Sequence, residues 1–221
     1  MRNIFAIVFV SMLIAPGTIH ATSKPHVITF GRPITVKLFL GTTDDKSVNM
    51  RVRPLYVDGR LKEFTTGAPH DVTPSTFTVR QAYRVNDSLP DDPATVPRWR
   101  WQRGAWLLVD RSTGRVSGLK LPDFDTFYSA VSWYRDYAAY CGTSENGDKV
   151  YAVVAQLGRK KALVRKELGV TSGGDLPDSE CAAPKWQRQP VRVTFFPRNA
   201  QKLTFDIRGR AAAVATEAEA E

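Results

Sequence analysis

The fold is decided by a stretch that opens Gly104-Ala105-Trp106-Leu107-Leu108-Val109-Asp110 and ends at Gly169. Its apolar run, Trp106 to Val109, is typical of a strand that is covered on both faces. The next residues, Arg111 to Gly114, predict a tight reversal, because Gly114 can take a positive φ. Val116 to Leu121 then predicts a returning strand, which Pro122 ends because proline has no amide hydrogen for the ladder.

The rest of this stretch predicts three more strands. Ser129 to Trp133 and Tyr137 to Cys141 are apolar runs that are separated by a short polar turn. Asn146-Gly147 indicates a type I′ hairpin turn, in which both central residues take positive φ. Val150 to Ala155 follows this turn and is again apolar on both faces. The stretch therefore predicts a series of antiparallel hairpins.

This order of strands and turns resembles one and a half blades of a TolB-type or WD-repeat-like β-propeller from an exported bacterial protein. The residues that match the blade pattern are Val109-Asp110, Thr113-Gly114, Ser132-Trp133, Asp136, Ala139-Tyr140 and Val150-Tyr151. Tyr134-Arg135-Asp136-Tyr137 departs from the Ser-Pro-Asp-Gly turn of that family. A closed propeller needs four or more blades of about 40 residues. A β-sandwich or an irregular barrel made of the same hairpins therefore stays open.

Alternation extends the β prediction to both ends of the chain. Asp58-Gly59 predicts a second type I′ hairpin, and Pro54 places the strand before it at a sheet edge. From Phe77 to Val85 apolar residues alternate with polar ones, so Arg80 and Arg84 are expected to face water. A last hairpin is predicted from the apolar positions Val191, Val193, Phe195, Leu203, Phe205 and Ile207.

No span outside the N-terminal leader has the sustained 3.6-residue period of a long amphipathic helix. Residues 159–168 fit either a short helix or a strand, and continuity with the preceding hairpins favours the strand. The predicted fold class is mainly β, with antiparallel hairpins that form a propeller-like, sandwich or irregular barrel domain. We assign 27–209 to one β-rich domain with a blade-like core at 104–169, and 210–221 to a disordered or weakly helical tail.

Met1 to Ala21 has the pattern of a signal peptide. Arg2 supplies the positive start, Ile4 to Ala15 is apolar, and Ala21 occupies the small position of a cleavage site. The apolar run is too short for a membrane-spanning helix, which needs about 20 residues. We therefore expect an exported, soluble mature chain without a transmembrane segment, either periplasmic or secreted.

The chain is basic, with 31 Lys and Arg against 22 Asp and Glu and a formal net charge of +9 at pH 7. Positive charge outside the cytoplasm predicts an anionic partner, such as an acidic glycan, a lipid head group or a protein surface. Nucleic acid is not expected in that compartment. A net charge that only maintains solubility is the alternative interpretation.

Cys141 and Cys181 are the two cysteines of the chain. An exported protein with two cysteines commonly pairs them. We predict a disulfide that ties the central sheet to a loop at 171–184. In the chain-entropy model a closed loop of this length stabilises the fold by about 4 kcal/mol.

Patterns for catalysis and metal binding are sparse. His70-Asp71 could form a base and its orienting acid, but adjacent residues rarely point the same way. The spacings of histidine, cysteine and acidic residues fit no zinc motif and no calcium loop, so no metal and no cofactor is predicted. Asp123 and Asp125 could supply the acid and base of a glycan-cleaving enzyme. Aspartates that bond to the backbone of a turn are the simpler interpretation.

Arg98-Trp99-Arg100-Trp101-Gln102-Arg103 is the most unusual segment of the chain. On a strand Trp99 and Trp101 share one face, and Arg98 and Arg100 share the other. Exposed tryptophans could stack on sugar rings while guanidinium groups hold anions. Buried tryptophans would instead be core anchors. We therefore name Arg98, Trp99, Arg100, Trp101 and Arg103 as candidate ligand-binding residues.

These observations predict an exported, non-catalytic, β-rich binding or interaction module with a basic surface. A glycan-acting hydrolase that uses Asp123 and Asp125 is the alternative. The basic surface is expected where strands place arginine and lysine on their polar faces, at Arg51, Arg53, Arg80, Arg84, Arg98, Arg100, Lys202 and Arg208. If these strands share one sheet, the charges form a patch; if they do not, the side chains are ordinary solvated groups.

Overall fold

The computed structural model describes residues 25–39, 47–88, 96–170, 181–197, 201–209 and 211–214. These residues form fifteen strands and no helix, which confirms the prediction of a mainly β fold. The strands belong to one seven-stranded sheet and two four-stranded sheets. Among the described residues no helix is long and apolar enough to cross a membrane. The predicted leader at 1–21 lies outside the described residues.

The seven-stranded sheet is built from the N-terminal half of the chain. Its strands are β1 (Ile28–Phe30), β2 (Ile34–Phe39), β3 (Ser47–Val57), β4 (Arg60–Asp71), β5 (Thr76–Asn86), β6 (Trp99–Asp110) and β7 (Val116–Gly118). Antiparallel pairs join β2 to β3, β3 to β4, β4 to β5 and β5 to β6. A parallel contact between Leu38 and Trp101 returns β6 to β2 and closes the ring. This half is therefore an irregular barrel, which β1 and β7 extend.

Two apolar clusters fill the barrel half. One contains Leu55, Phe77, Val79, Leu107 and Val109. The other contains Leu38, Met50, Val52 and Ala82. β3 and β5 contribute residues to both clusters. Leu55 and Val52, like Val79 and Ala82, are an odd number of residues apart and therefore point to opposite faces of the sheet. At the register shift between Arg80 and Ala82, two steps along β5 face three steps along β6, so β6 carries the extra residue of a bulge.

One hairpin prediction in this half is confirmed and one edge prediction is wrong. Asp58 and Gly59 have φ of 51° and 75°, as a type I′ turn requires. The strand that contains Pro54 is not at an edge, because β3 pairs with β4 on one side and with β1 and β2 on the other. The Gly31 amide donates to the Pro54 carbonyl at 2.8 Å, so Pro54 faces the break between β1 and β2. At this break Pro54 has no register partner on β1 or β2, so the missing amide hydrogen of proline costs no hydrogen bond between strands.

The C-terminal half forms two four-stranded antiparallel sheets. The first contains β8 (Ser132–Tyr134), β9 (Tyr137–Thr143), β10 (Lys149–Gln156) and β11 (Val164–Val170), and the second contains β12 (Cys181–Arg188), β13 (Val191–Pro197), β14 (Leu203–Arg208) and β15 (Ala211–Val214). They share a core around Ala139, Val154, Val193, Phe195 and Phe205. Tyr140 and Val153 belong to a second cluster, which Leu121, Phe124 and Val131 cover. This half is a β-sandwich.

Cys141 and Cys181 form the predicted disulfide, with their Cα atoms 6.1 Å apart. The bond joins β9 to β12 and therefore links the two sheets of the sandwich. Cys181 begins a strand, whereas the sequence predicted a loop through 184. This prediction was wrong because Pro184 does not exclude a strand. In the structure Pro184 lies at a register shift between Ala182 and Lys185, and a strand tolerates proline at such a position. Residues 171–180 lie outside the described residues.

The turn at Asn146-Gly147 differs from the predicted type I′ turn. Only Gly147 has a positive φ, 71°, and its amide donates to the Ser144 carbonyl at 2.9 Å. The turn therefore centres on Glu145 and Asn146, and Gly147 follows in the left-handed conformation. The Ser144 hydroxyl accepts the amides of Asp148 and Lys149, both at 3.1 Å, which stabilises this longer loop.

Several strand limits also differ from the sequence prediction. The returning strand of 116–121 ends at Gly118, and the strand of 129–133 begins at Ser132. The strand favoured within 159–168 begins at Val164. Ala211–Val214 pair with β14 as β15, instead of starting a tail, because main-chain pairing needs no apolar pattern. Residues 215–221 lie outside the described residues.

The stretch 104–169 contributes to two different sheets. β6 and β7 belong to the seven-stranded barrel sheet, whereas β8 to β11 form the first sheet of the sandwich. The resemblance to propeller blades stays a prediction.

Candidate functional site

Trp99 and Trp101 lie at the N-terminal end of β6, and one guanidinium reaches both rings. Arg84 on β5 is the cross-strand partner of Trp101. Its Cζ lies 5.5 Å from the Trp101 ring centroid and 5.6 Å from that of Trp99. Trp101 packs edge-on against Phe64 at 5.3 Å and joins the core around Leu38. We call Arg84, Trp99 and Trp101 the Trp–Arg stack.

The Trp–Arg stack presents an aromatic ring and a cation to solvent. Trp99 is 58% exposed, and Arg84 is exposed as well. Each cation–π contact of this kind contributes about 0.5–1 kcal/mol at an exposed site, so the Arg84 side chain is partly ordered before any ligand arrives. Such ordering lowers the entropy cost of binding. The free ring face can stack on a sugar, and the guanidinium can hold a carboxylate or phosphate.

The arginines next to the two tryptophans have other roles. The Arg100 side chain lies over the Phe39 ring at 4.8 Å, and its Nε is 2.7 Å from an Asp87 carboxylate oxygen. That side chain is only 12% exposed. The Arg98 amide donates to the Asn86 side chain at 3.0 Å, and the Arg98 carbonyl accepts the Asp87 amide at 2.8 Å. Backbone bonds at Arg98 therefore hold the start of β6 against the end of β5.

Basic residues gather on the opposite face of this part of the barrel. Thr35 pairs with Arg51, and Leu38 pairs with Trp101, so alternation places Lys37, Arg51, Arg53 and Arg100 on one face of β3, β2 and β6. We call these four residues the basic face. Lys37 and Arg51 are exposed. Arg53 lies over the Phe30 ring at 4.0 Å and donates to the Gly67 carbonyl at 3.2 Å.

The other basic residues predicted for the patch lie elsewhere. Arg208 belongs to the second sheet of the sandwich, where it is 3.7 Å from an Asp206 oxygen, and Lys202 directly precedes β14 of that sheet. Arg103 pairs with Ala82 and is partly buried. Arg80 is buried. The predicted single patch is therefore divided, and its largest part is the basic face of the barrel.

Arg80 was expected to face water, and this expectation is wrong. The side chain is 8% exposed and donates to the backbone carbonyls of Thr126 at 2.6 Å and Ser129 at 3.5 Å. Its Cζ lies 4.7 Å from the Phe124 ring. Burial, together with the nearby charge of Arg103, lowers the pKa of Arg80 to about 10. The polar face of β5 is covered here by the segment that leads to the sandwich, which strand alternation alone does not reveal.

Asp123 and Asp125 each have a structural partner of their own. Arg165 binds both carboxylate oxygens of Asp123, at 2.8 and 3.1 Å, and this carboxylate raises the pKa of Arg165. Asp125 accepts the amides of Phe127 and Tyr128 at 2.7 and 3.0 Å, as an aspartate that closes a turn does. The backbone of Asp123 approaches Gly142 so closely that a Cβ there would collide with its carbonyl.

His70 and Asp71 bind different groups. A His70 ring nitrogen lies 2.8 Å from the Arg135 carbonyl oxygen, and the ring stacks on Trp133 at 5.7 Å. The Asp71 carboxylate instead binds Arg111 at 2.7 Å. The two side chains therefore do not form the base and orienting acid that their adjacency suggested.

No protein-family model matches this chain, and no curated protein and no solved structure matches it either. Within the described residues no group of three or more His, Cys, Asp or Glu side chains is arranged to hold a metal ion. The chemistry of the Trp–Arg stack and of the basic face is therefore the basis for a functional proposal.

Proposed function

We propose that this protein is an exported, non-catalytic binding module that uses the Trp–Arg stack to hold an acidic glycan of the cell envelope. The observation that carries the proposal is the exposed ring of Trp99 beside the ordered guanidinium of Arg84. A pyranose ring stacks on an exposed indole, and a uronic acid or sulfate group on the same polymer pairs with a guanidinium. The apolar leader pattern at 1–21 and the disulfide support export.

The surroundings of the stack favour a glycan over a lipid surface. A protein that enters a bilayer interface uses several exposed apolar residues side by side. Among the described residues, the exposed large apolar side chains near the stack are Val96, Trp99 and Val48, and Val48 lies two strands away across Leu38. The basic face on the other side of β6 can attract the same polymer at longer range, and salt weakens that attraction.

The test measures retention of the mature protein on immobilised polygalacturonate as ionic strength rises, with neutral dextran as the reference matrix. We expect the protein to bind polygalacturonate at low salt and not dextran. Trp99→Ala removes the stacking surface and should weaken binding by roughly tenfold, since one ring contact contributes about 1–3 kcal/mol. Arg84→Gln should have a similar effect, because it removes the cation that pairs with the acidic group of the glycan.

The matched control is Arg188→Gln, which removes the same charge from an exposed position on β12. It should elute close to the unchanged protein. Loss of retention in Arg188→Gln as large as in Arg84→Gln would mean that net charge alone acts, and the proposal would be overturned. Preferential binding to phosphatidylglycerol vesicles, with no retention on polygalacturonate, would contradict the choice of a glycan.

A further inference from the structure

Four buried hydrogen-bond donors lie where the barrel meets the sandwich. They are Thr78 Oγ1 and Arg80 Nε on β5, Trp106 Nε1 on β6 and Trp133 Nε1 on β8, and none has a hydrogen-bond partner among the described residues. Thr78 is completely buried, and Arg80 is 8% exposed. Each orphaned buried donor costs about 1–3 kcal/mol. Four of them indicate an acceptor that the surrounding residues do not supply.

Ring contacts link Arg80, Trp106 and Trp133, and strand pairing places Thr78 beside them. We call these four residues the junction cluster. Thr78 and Arg80 are two residues apart on one face of β5. Arg80 is the cross-strand partner of Trp106, and its Cζ lies 5.8 Å from that ring. The rings of Trp106 and Trp133 are 5.2 Å apart and inclined by 72°. His70 closes the set, because it pairs with Thr78 across the strands and stacks on Trp133.

The surroundings of the junction cluster carry a net positive charge, because Arg80 and Arg103 face the single negative charge of Asp125. The carbonyls of Thr126 and Ser129 accept the terminal nitrogens of Arg80, but they are neutral groups. Asp125, whose charge acts on Arg80, has Oδ1 engaged by two backbone amides, and no ion pair joins it to Arg80 among the described residues. Arg103 adds a second positive charge nearby. A buried charge normally has a counter-charge, because isolated burial costs several kcal/mol.

The kinds of donor at the junction select the ligand. Two indole N–H groups and a guanidinium N–H can only donate, so they favour an anion over a cation. The rings of Trp106 and Phe124 lie 5.8 and 4.7 Å from the Arg80 Cζ, and Trp133 packs against Trp106, so bulky side chains occupy the space around the donors. In the edge-on pair of Trp106 and Trp133, the N–H of one indole could point at the ring of the other and form a weak N–H···π hydrogen bond. It would still leave the guanidinium Nε and the charge without an acceptor.

We propose that the junction cluster binds one small monovalent anion, either a halide or the carboxylate of a small acid. Donors from β5 and β6 belong to the barrel and the donor from β8 belongs to the sandwich, so the anion joins the two halves. The Trp–Arg stack lies at the other end of β6 from Trp106. The inference therefore does not depend on the proposed glycan site.

The experiment uses the mature protein in sodium gluconate, whose anion is too bulky for this position, at constant ionic strength. Gluconate is replaced stepwise by chloride, bromide or formate, and the thermal midpoint and the near-UV circular dichroism of the tryptophans are followed. We expect a saturable rise of roughly 2–8 °C in the midpoint. A change in the tryptophan signal should saturate at the same concentration. A response to halides only or to formate only identifies which source of anion binds.

Conservative variants test whether the response arises at the junction. Trp133→Phe keeps a ring against His70 and removes one N–H, so half-saturation should need about tenfold more anion. Arg80→Gln should abolish the response. Trp186→Phe is the control, because its indole N–H already donates to the Ser132 carbonyl at 3.0 Å. It should respond like the unchanged protein.

A midpoint that is equal in all salts would overturn the proposal, as would Trp133→Phe with unchanged anion affinity. The Trp133→Phe variant decides the question by itself if Arg80→Gln does not fold. In crystals grown with bromide, the anomalous peak is expected within hydrogen-bond distance of Arg80 Nε and an indole nitrogen. A peak only at other places would count against the junction.

Discussion

Two buried arginines, one in each half of the molecule, have different partners. Arg192 on β13 is 8% exposed and faces Asp206 on β14, with Nε 2.5 Å from a carboxylate oxygen that is itself buried. Arg80 on β5 is equally buried, yet its cross-strand partner on β6 is Trp106. The sandwich therefore supplies a counter-charge from the adjacent strand. The barrel surrounds Arg80 with backbone carbonyls and aromatic rings. Arg80 is therefore the buried arginine that we expect to respond to an added anion.

The largest effect is expected in the sandwich. Asp206→Ala removes the carboxylate that faces Arg192 and should lower the free energy of unfolding by about 3–5 kcal/mol. Urea unfolding measures this change. The matched control replaces both members, Arg192→Met with Asp206→Leu, and should cost much less because no buried charge is left behind. Equal losses in the single and the double variant would mean that the ion pair is not the cause.

The disulfide is a second difference between the halves, because Cys141 and Cys181 both belong to the sandwich. Replacing both by alanine should cost about 2–4 kcal/mol, through the added freedom of the unfolded chain. Hydrogen exchange of individual strands is the measurement. Amides of β9 and β13 should exchange faster, while those of β5 keep their rates because the barrel has its own apolar clusters. Equal acceleration in β5 would show that the two halves unfold together.

A smaller effect is expected when the barrel arginine is removed. Arg80→Met breaks no ion pair to a carboxylate and leaves the Thr126 and Ser129 carbonyls without their donor. In gluconate buffer it should therefore cost about 1–2 kcal/mol, less than Asp206→Ala. Urea unfolding under the same conditions gives the comparison. A loss as large as that of Asp206→Ala would imply that Arg80 has a compensating charge after all.

The smallest effect is expected for a hydrogen bond between a histidine and an aspartate at the surface. His26 Nδ1 lies 2.7 Å from an Asp58 oxygen, and the Val27 amide donates to the other at 3.0 Å. Both interactions, led by the one with His26, hold the pKa of Asp58 below its ordinary 3.8. Because the folded-state pKa is lowered, the stabilisation is complete above the unfolded-state pKa and is lost as pH falls through the folded-state pKa.

Asp58→Asn measures this surface contribution, and asparagine tolerates the positive φ of position 58. The thermal midpoint of the unchanged protein should exceed that of the variant by a constant amount above about pH 5, and the difference should shrink toward pH 2. A difference that grows as the pH falls would contradict the assigned direction of the shift.

Alternation predicted the buried residues best where strands are regular. Phe77, Val79, Val193 and Phe195 are buried as their spacing predicts, because the period of two follows from the backbone itself. The same rule was wrong for Arg80. Which polar face meets water depends on a segment more than forty residues away in the chain, and no local pattern encodes that contact.

The Trp–Arg stack was predictable only in part. Alternation alone indicates that Trp99 and Trp101 share a face. The third member, Arg84, depends on the register between β5 and β6, which a bulge shifts by one residue. The sequence also left open whether the tryptophans are buried. In the structure Trp99 is exposed and Trp101 is partly buried, because Trp101 packs against the apolar cluster around Leu38.

The closed ring of strands has a consequence for self-association. In the barrel, strands β3 to β6 are paired on both sides, so they offer little free main chain to a strand from another molecule. In the described part of the sandwich, β8, β11, β12 and β15 each pair on one side only, and β8 is only three residues long. The charged residues Arg165 to Glu167 disfavour the addition of another strand to β11, and Pro184 and Lys185 disfavour it at β12. Ala211–Val214 carries no charge and no proline, so strand addition by a second copy or an extended peptide is expected at β15.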